Sequence, residues 1–117
     1  MRKILTLSLL LFFTGMQSGN ADEVASSDAL ERGKAIAFER GRGNCLACHV
    51  IAGGEFAGNY GPPLLLMKTR FPDRADLRAQ IWDASVKEPT TRMPPYGRHR
   101  ILTEEEIDLL VEFIHTL

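Results

Sequence analysis

Apolar residues recur with a helical period in three stretches of the chain and with a strand period in none. The clearest is "LTEEEIDLLVEFIHTL", residues 102–117, where Ile107, Leu110, Val111, Ile114 and Leu117 form one stripe. Thr103 and Glu106 make a capping box there, and three glutamates occupy the first turn, where the positive end of a helix favours them. "PDRADLRAQIWDAS", residues 72–85, predicts a second helix. Pro72 suits its start, Asp73 and Asp76 suit its first turn, and Leu77, Ile81 and Ala84 share a face. "DALERGKAIAFERG", residues 28–41, predicts a third, with Asp28 and Glu31 as its capping box. Leu30, Gly33 and Ala37 line one side of it, and Gly41 and Gly43 end it.

Between these helices the pattern is lost. Asn44–Tyr60 is rich in Gly and Ala without alternation, and "KEPTTRMPPYGRHR", residues 87–100, holds three prolines and a glycine. Pro62 and Pro63 open a short apolar segment, Leu64–Met67, which allows a fourth, brief helix. The expected fold is all-α, with three to four helices and two long loops. Irregular runs of about fifteen residues are uncommon in a small domain unless something holds them. A large apolar group buried at the centre would do so.

The first residues change the picture of length. Arg2 and Lys3 precede an apolar run from Ile4 to Phe13, and Gly19 and Ala21 stand in the small-x-small spacing of a cleavage site. That run is about half of the ~20 residues a membrane span needs. Residues 1–21 are therefore read as a secretory leader, and 22–117 as one exported, periplasmic domain. Without the leader, twelve basic side chains stand against fifteen acidic ones, a formal charge of −3. Nothing in that balance suggests nucleic-acid binding.

Both cysteines of the chain lie in "GNCLACHV". In an exported protein a disulfide is the first reading of two cysteines, but a bridge across two intervening residues restrains little chain. Zinc would need four ligands, and there is no second cysteine pair. A thioredoxin-like redox pair would call for a βαβ setting. Cys45-Leu46-Ala47-Cys48-His49 fits instead the attachment pattern of c-type haem. One helical turn brings the two thiols to the two vinyl groups, and His49 supplies an axial imidazole to the iron. The expected cofactor is one covalently attached haem c.

A second axial ligand is then sought. Outside the leader there are two methionines, Met67 and Met93. Met93 sits in "TTRMPPYG", where Pro94 and Pro95 stiffen the backbone and hold a thioether on a loop. It is the expected ligand, whereas Met67, following three leucines, reads as core. His99 reads as part of a solvated basic loop, and His115 as an imidazole at the negative end of the last helix. His/Met ligation closes the iron to small molecules and favours electron transfer. A haem-binding histidine directs its other nitrogen at a carbonyl, and Pro62 is a candidate to provide one. Trp82 is open to two readings, haem contact or core packing. Lys87, Arg92, Arg98 and Arg100 either ring the haem edge and steer an acidic partner or form an ordinary solvated loop.

The runs "GNCLACH", "GNYGPPL", "TTRMPPYG" and "ILTEEEIDLLVEFIHTL" together resemble the SoxX-type cytochromes, the monohaem subunits of SoxAX thiosulfate-oxidising complexes. The resemblance covers roughly Leu30 to Leu117. It implies a class I cytochrome c fold, with first and last helices crossing near the haem, Gly33 and Ala37 against Leu110, Phe113 and Ile114. It implies Cys45 and Cys48 as thioether residues and His49 and Met93 as iron ligands. It also implies a SoxA-type haem subunit as partner, carrying the reaction centre where thiosulfate is joined to a carrier-protein cysteine. Electrons would then pass through this chain to a soluble cytochrome. With both cysteines consumed by haem, this chain keeps no thiol for sulfur chemistry. The other reading is a free-standing monohaem carrier of a respiratory chain.

Overall fold

The computed structural model describes the backbone from Asn20 to Leu117 and side chains from Ser26 onward. The leader expected over residues 1–21 lies, but for its last two positions, outside the described residues. Four α-helices follow in order: α1 (Asn20–Phe38), α2 (Met67–Arg70), α3 (Arg74–Trp82) and α4 (Glu104–Ile114). Short 3-10 turns cover Cys45–Ala47 and Ala84–Val86, and no strand is present among the described residues. The fold is all-α, as the periodicity predicts.

α4 is the central element. Its capping box is complete: the Glu106 amide donates to Thr103 Oγ1 at 3.2 Å, and the Thr103 amide donates to the Glu106 carboxylate at 2.8 Å. Ile107, Leu110, Val111 and Ile114 of the predicted stripe are buried, Leu117 lies half-buried beyond the helix, and Leu109 and Phe113 are buried as well, so little more than the acidic side of α4 reaches solvent. α1 crosses α4 at Gly33, where an added Cβ would stand 2.1 Å from the Leu109 carbonyl oxygen and 2.9 Å from Phe113 Cβ. Only glycine permits that approach. Ala37 and Ile36, the latter absent from the predicted stripe, are fully enclosed beside it. Phe38 and Phe113 meet edge to face at 6.1 Å between centroids.

α1 departs from expectation at its start. The helix runs back through Asp28 to Asn20, so Asp28 and Glu31 are interior residues and form no capping box. Once packing on α4 has nucleated a helix, each further residue adds a hydrogen bond, and Ala21, Glu23 and Ala25 are good helix formers. α3 starts at Arg74 rather than at Pro72, because the Asp73 carboxylate caps it by accepting from the Ala75 amide at 2.8 Å, and it ends at Trp82, so Ala84 falls in the 3-10 turn that follows.

Arginines answer the acidic side of α4. From α1, Arg32 reaches Glu105 at 2.8 Å, and from α3, Arg78 reaches Asp108 at 2.7 Å and Glu104 at 3.2 Å. Arg42 pairs with Glu106, and Arg74 with Glu112. Each exposed pair contributes little alone. Together they join α1, α3 and the residues after α1 to the acidic side of α4. The three glutamates thus do more than favour the helix dipole.

Candidate functional site

A cavity of about 410 Å³ lies between α2, α3, α4 and the two long loops. Much of its wall is apolar: Leu64, Met67, Phe71, Leu77, Ile81, Leu110 and Ile114. Its size is that of a cofactor pocket. Cys45, Cys48, His49, Pro62 and Met93, spread over 49 positions of sequence numbering from 45 to 93, all line it.

The 3-10 turn Cys45–Ala47 sets the two cysteines, and both are unbridged. Burial pushes the Cys45 thiol up to about 11. The free thiolate that disulfide exchange needs is therefore disfavoured at Cys45. No group of three or more His, Cys, Asp or Glu side chains with metal-site geometry occurs among the described residues.

His49 follows directly. Its Nδ1 lies 2.6 Å from the Pro62 carbonyl oxygen. A carbonyl only accepts, so Nδ1 carries a proton, and in that tautomer of the neutral ring the lone pair is on Nε2. Gly61 lies against the ring: an added Cβ would stand 2.4 Å from Cε1 and 2.9 Å from Nε2. The Gly61 amide donates to the Cys48 carbonyl at 2.8 Å, and the Leu64 amide to that of Val50 at 2.9 Å. Residues 61–64 form a strap under the imidazole, bonded at both ends to the cysteine–histidine segment.

Both methionines reach the cavity. Met67 is 1% exposed, and its sulfur accepts from an Arg70 guanidinium N–H at 3.4 Å. Met93 is half-buried on the proline loop, its amide held by Thr91 Oγ1 at 3.2 Å. That loop is anchored twice. Tyr96, buried, donates its hydroxyl to the Gly43 carbonyl and so ties the loop to the residues just before Cys45. Burial raises its phenol to about 12, which keeps the donor proton in place. Gly97 lies flat on Trp82, where an added Cβ would come within 2.1 Å of the indole. Sequence reading singled out Tyr96 and Gly97 only as parts of a motif; their partners lie too far along the chain to be read locally.

The same geometry resolves the readings left open. Trp82 packs on Gly97 and beneath the Arg78 guanidinium at 5.3 Å, and it does not line the cavity. The basic loop forms no ring around the cavity mouth. Arg92 lines it, stacked over Tyr60 at 5.4 Å, but Arg98 pairs with Asp83 at 3.0 Å and Lys87 lies 3.9 Å from Asp76. His99 and Arg100 are exposed. His115 is 7% exposed and donates from Nε2 to the Phe71 carbonyl at 3.0 Å, rather than capping its helix in solvent. Arg70, unremarked in the sequence, lines the cavity and donates to the Pro63 carbonyl at 2.9 Å.

The residues fit a covalent haem: two thiols brought together by one turn, an imidazole whose Nδ1 is held by Pro62, and an apolar chamber beside them. Fold and site define a haem-bearing electron-transfer protein. The family model for cytochrome c matches residues 30–117, well over half of the chain, and the chain belongs to that family. It carries haem c, covalently attached, and Cys45 and Cys48 fit the attachment motif. When bound, the haem supplies a one-electron iron couple; the chain's own residues hold it, exclude water and fix the imidazole. No curated protein matches the sequence. Among the described residues no helix is long and apolar enough to cross a membrane.

Proposed function

We propose that this cytochrome c is the electron-accepting subunit of a SoxAX-type complex in the periplasm. Its partner would be a SoxA-type haem subunit on which thiosulfate is oxidatively joined to a carrier-protein cysteine. His49 and Met93 are the iron's axial ligands in this reading, and Cys45 and Cys48 its covalent anchors. Removal of residues 1–21 on export belongs to the same proposal.

The observation that carries electron transfer is the convergence of His49, braced on Pro62, and Met93, braced through Tyr96, on one apolar cavity. Two protein ligands leave the iron no open position, which favours outer-sphere electron transfer over ligand chemistry. The sulfur role is supported by the four sequence runs that resemble SoxX-type cytochromes, and by the use of both thiols for haem. A catalytic cysteine must then belong to another chain.

Capture of a tagged copy from native periplasm at low salt, with haem staining of what accompanies it, tests the proposal. A larger haem protein in equal amount, able to couple thiosulfate to a carrier thiol, is the expected result. A lone haem-bearing chain would instead make it a free-standing respiratory carrier.

A further inference from the structure

The residues after α4 hold a helix too short to stand alone. α2 has only four residues, and a single helical turn is unstable in water by itself. Its first amide, that of Met67, donates to the Leu117 carbonyl at 2.8 Å. The carbonyl of its C-cap, Phe71, accepts from His115 Nε2 at 3.0 Å. Both ends of α2 therefore hang from the three residues that follow α4.

His115 is a costly way to fill that place. Its Nδ1 is buried with no partner among the described residues, and a leucine would occupy similar volume without an unpaired nitrogen. What the histidine adds is its bond to Phe71.

The load on α2 gives that bond a purpose. Arg70, its last residue, donates to the Pro63 carbonyl at 2.9 Å. One peptide earlier, the Pro62 carbonyl accepts the His49 Nδ1 proton at 2.6 Å. The strap is pinned at Gly61 and Leu64, but Pro62 and Pro63 have no N–H with which to pin its middle. Only their carbonyls can be held, and Arg70 holds the one beside the acceptor of His49.

We infer that His115 is a positioning residue for the haem-side imidazole, acting through α2 and Arg70 on the strap that carries the Pro62 carbonyl. A firm Nδ1–H···O bond raises the basicity of the ring at Nε2 and stabilises oxidised iron. The inference rests on the reading of His49 as an iron ligand.

His115→Leu and His115→Gln holoproteins test it, the glutamine amide nitrogen reaching about where Nε2 stood. Reduction potential is measured together with deuterium exchange of the His49 Nδ1 proton, by NMR of the reduced protein. His115→Leu should raise the potential and quicken that exchange about tenfold, the ratio that losing roughly one net hydrogen bond gives. His115→Gln should restore both. A cavity merely loosened would admit water and lower the potential, since burial favours the less charged reduced haem. A fall, or no change, overturns the inference. Should His115→Leu yield no holoprotein, His115→Asn, too short to reach Phe71, must behave as predicted for leucine; wild-type behaviour overturns the inference equally. The ligand assignment is read separately. A wild-type Nδ1 proton without the ring-current shift of a haem-bound imidazole removes that assignment. A shifted proton indifferent to His115 removes only the positioning role.

Discussion

Met93 and His49 reach one cavity from two loops, His49 held through the Pro62 carbonyl and Met93 through Thr91 Oγ1. With the proposed ligation, Met93→Ala opens one side of the iron while leaving the His49–Pro62 bond intact. Imidazole or cyanide should then bind at least about tenfold more tightly, as displacing an internal ligand worth ~1.4 kcal/mol requires. Spectroscopic titration of the ferric protein measures this, and unchanged affinity would remove Met93 from the iron. Cys45, Cys48 and His49 are legible in sequence because covalent attachment ties three residue types to one spacing. Met93 stands out because two prolines follow it. Gly61, Tyr96 and Gly97 are not legible in the same way. Their work is defined by the His49 ring, the Gly43 carbonyl and the Trp82 indole, none of which is a near neighbour in the chain.

Helix α4 organises the others, and its two margins make different demands. Toward α1 the demand is closeness. Gly33→Ala would put a methyl group 2.1 Å from the Leu109 carbonyl, a backbone atom that cannot swing aside. Separating the helices should cost about 1–3 kcal/mol, and each kcal/mol lowers the melting temperature of so small a domain by roughly 4–8 °C. Thermal unfolding of the holoprotein measures it. At the N-terminus of α4 the demand is charge. The Thr103 amide first, and Arg42 second, hold the Glu106 carboxyl below its usual 4.5. A depressed carboxyl stabilises the fold above that usual value and loses the contribution as pH falls through the lowered one. Glu106→Gln keeps the capping box but loses the charge, and should be less stable than wild type by about 0.3–1 kcal/mol near neutrality, with the gap closing below pH 4.5 in denaturant titrations. The capping box was readable because it is local. The start of α1 was not, because a helix nucleated by distant packing extends past a plausible cap.

For the whole molecule, the decisive question is what closes the core. The α1–α4 crossing needs no cofactor, since Gly33, Ala37, Leu109 and Phe113 meet directly. The other side is different. Leu64, Phe71, Leu77, Ile81 and Ile114 turn toward the central cavity, and residues 48–66 and 87–103 have no regular hydrogen-bond ladder of their own. Most of their hydrogen bonds are short turns, such as Thr91 to Glu88 and Ile101 to Tyr96, and those reaching further include His49–Pro62, Tyr96–Gly43 and Gly97–Trp82. Ordering a residue costs about 1–2 kcal/mol of backbone entropy, against roughly 0.5–1.5 kcal/mol net for a hydrogen bond, so turns alone hold such segments weakly. Haem buried against the apolar wall would add the apolar contact that these turns lack. A Cys45→Ser/Cys48→Ser chain, unable to bind haem covalently, should lose its cooperative melting transition. Whatever helical circular dichroism it keeps should belong chiefly to α1 and α4, and its amides in 48–66 and 87–103 should exchange freely. A wild-type transition in the haem-free chain would show that the helices close the core unaided, and that the long loops owe their order to something other than the cofactor.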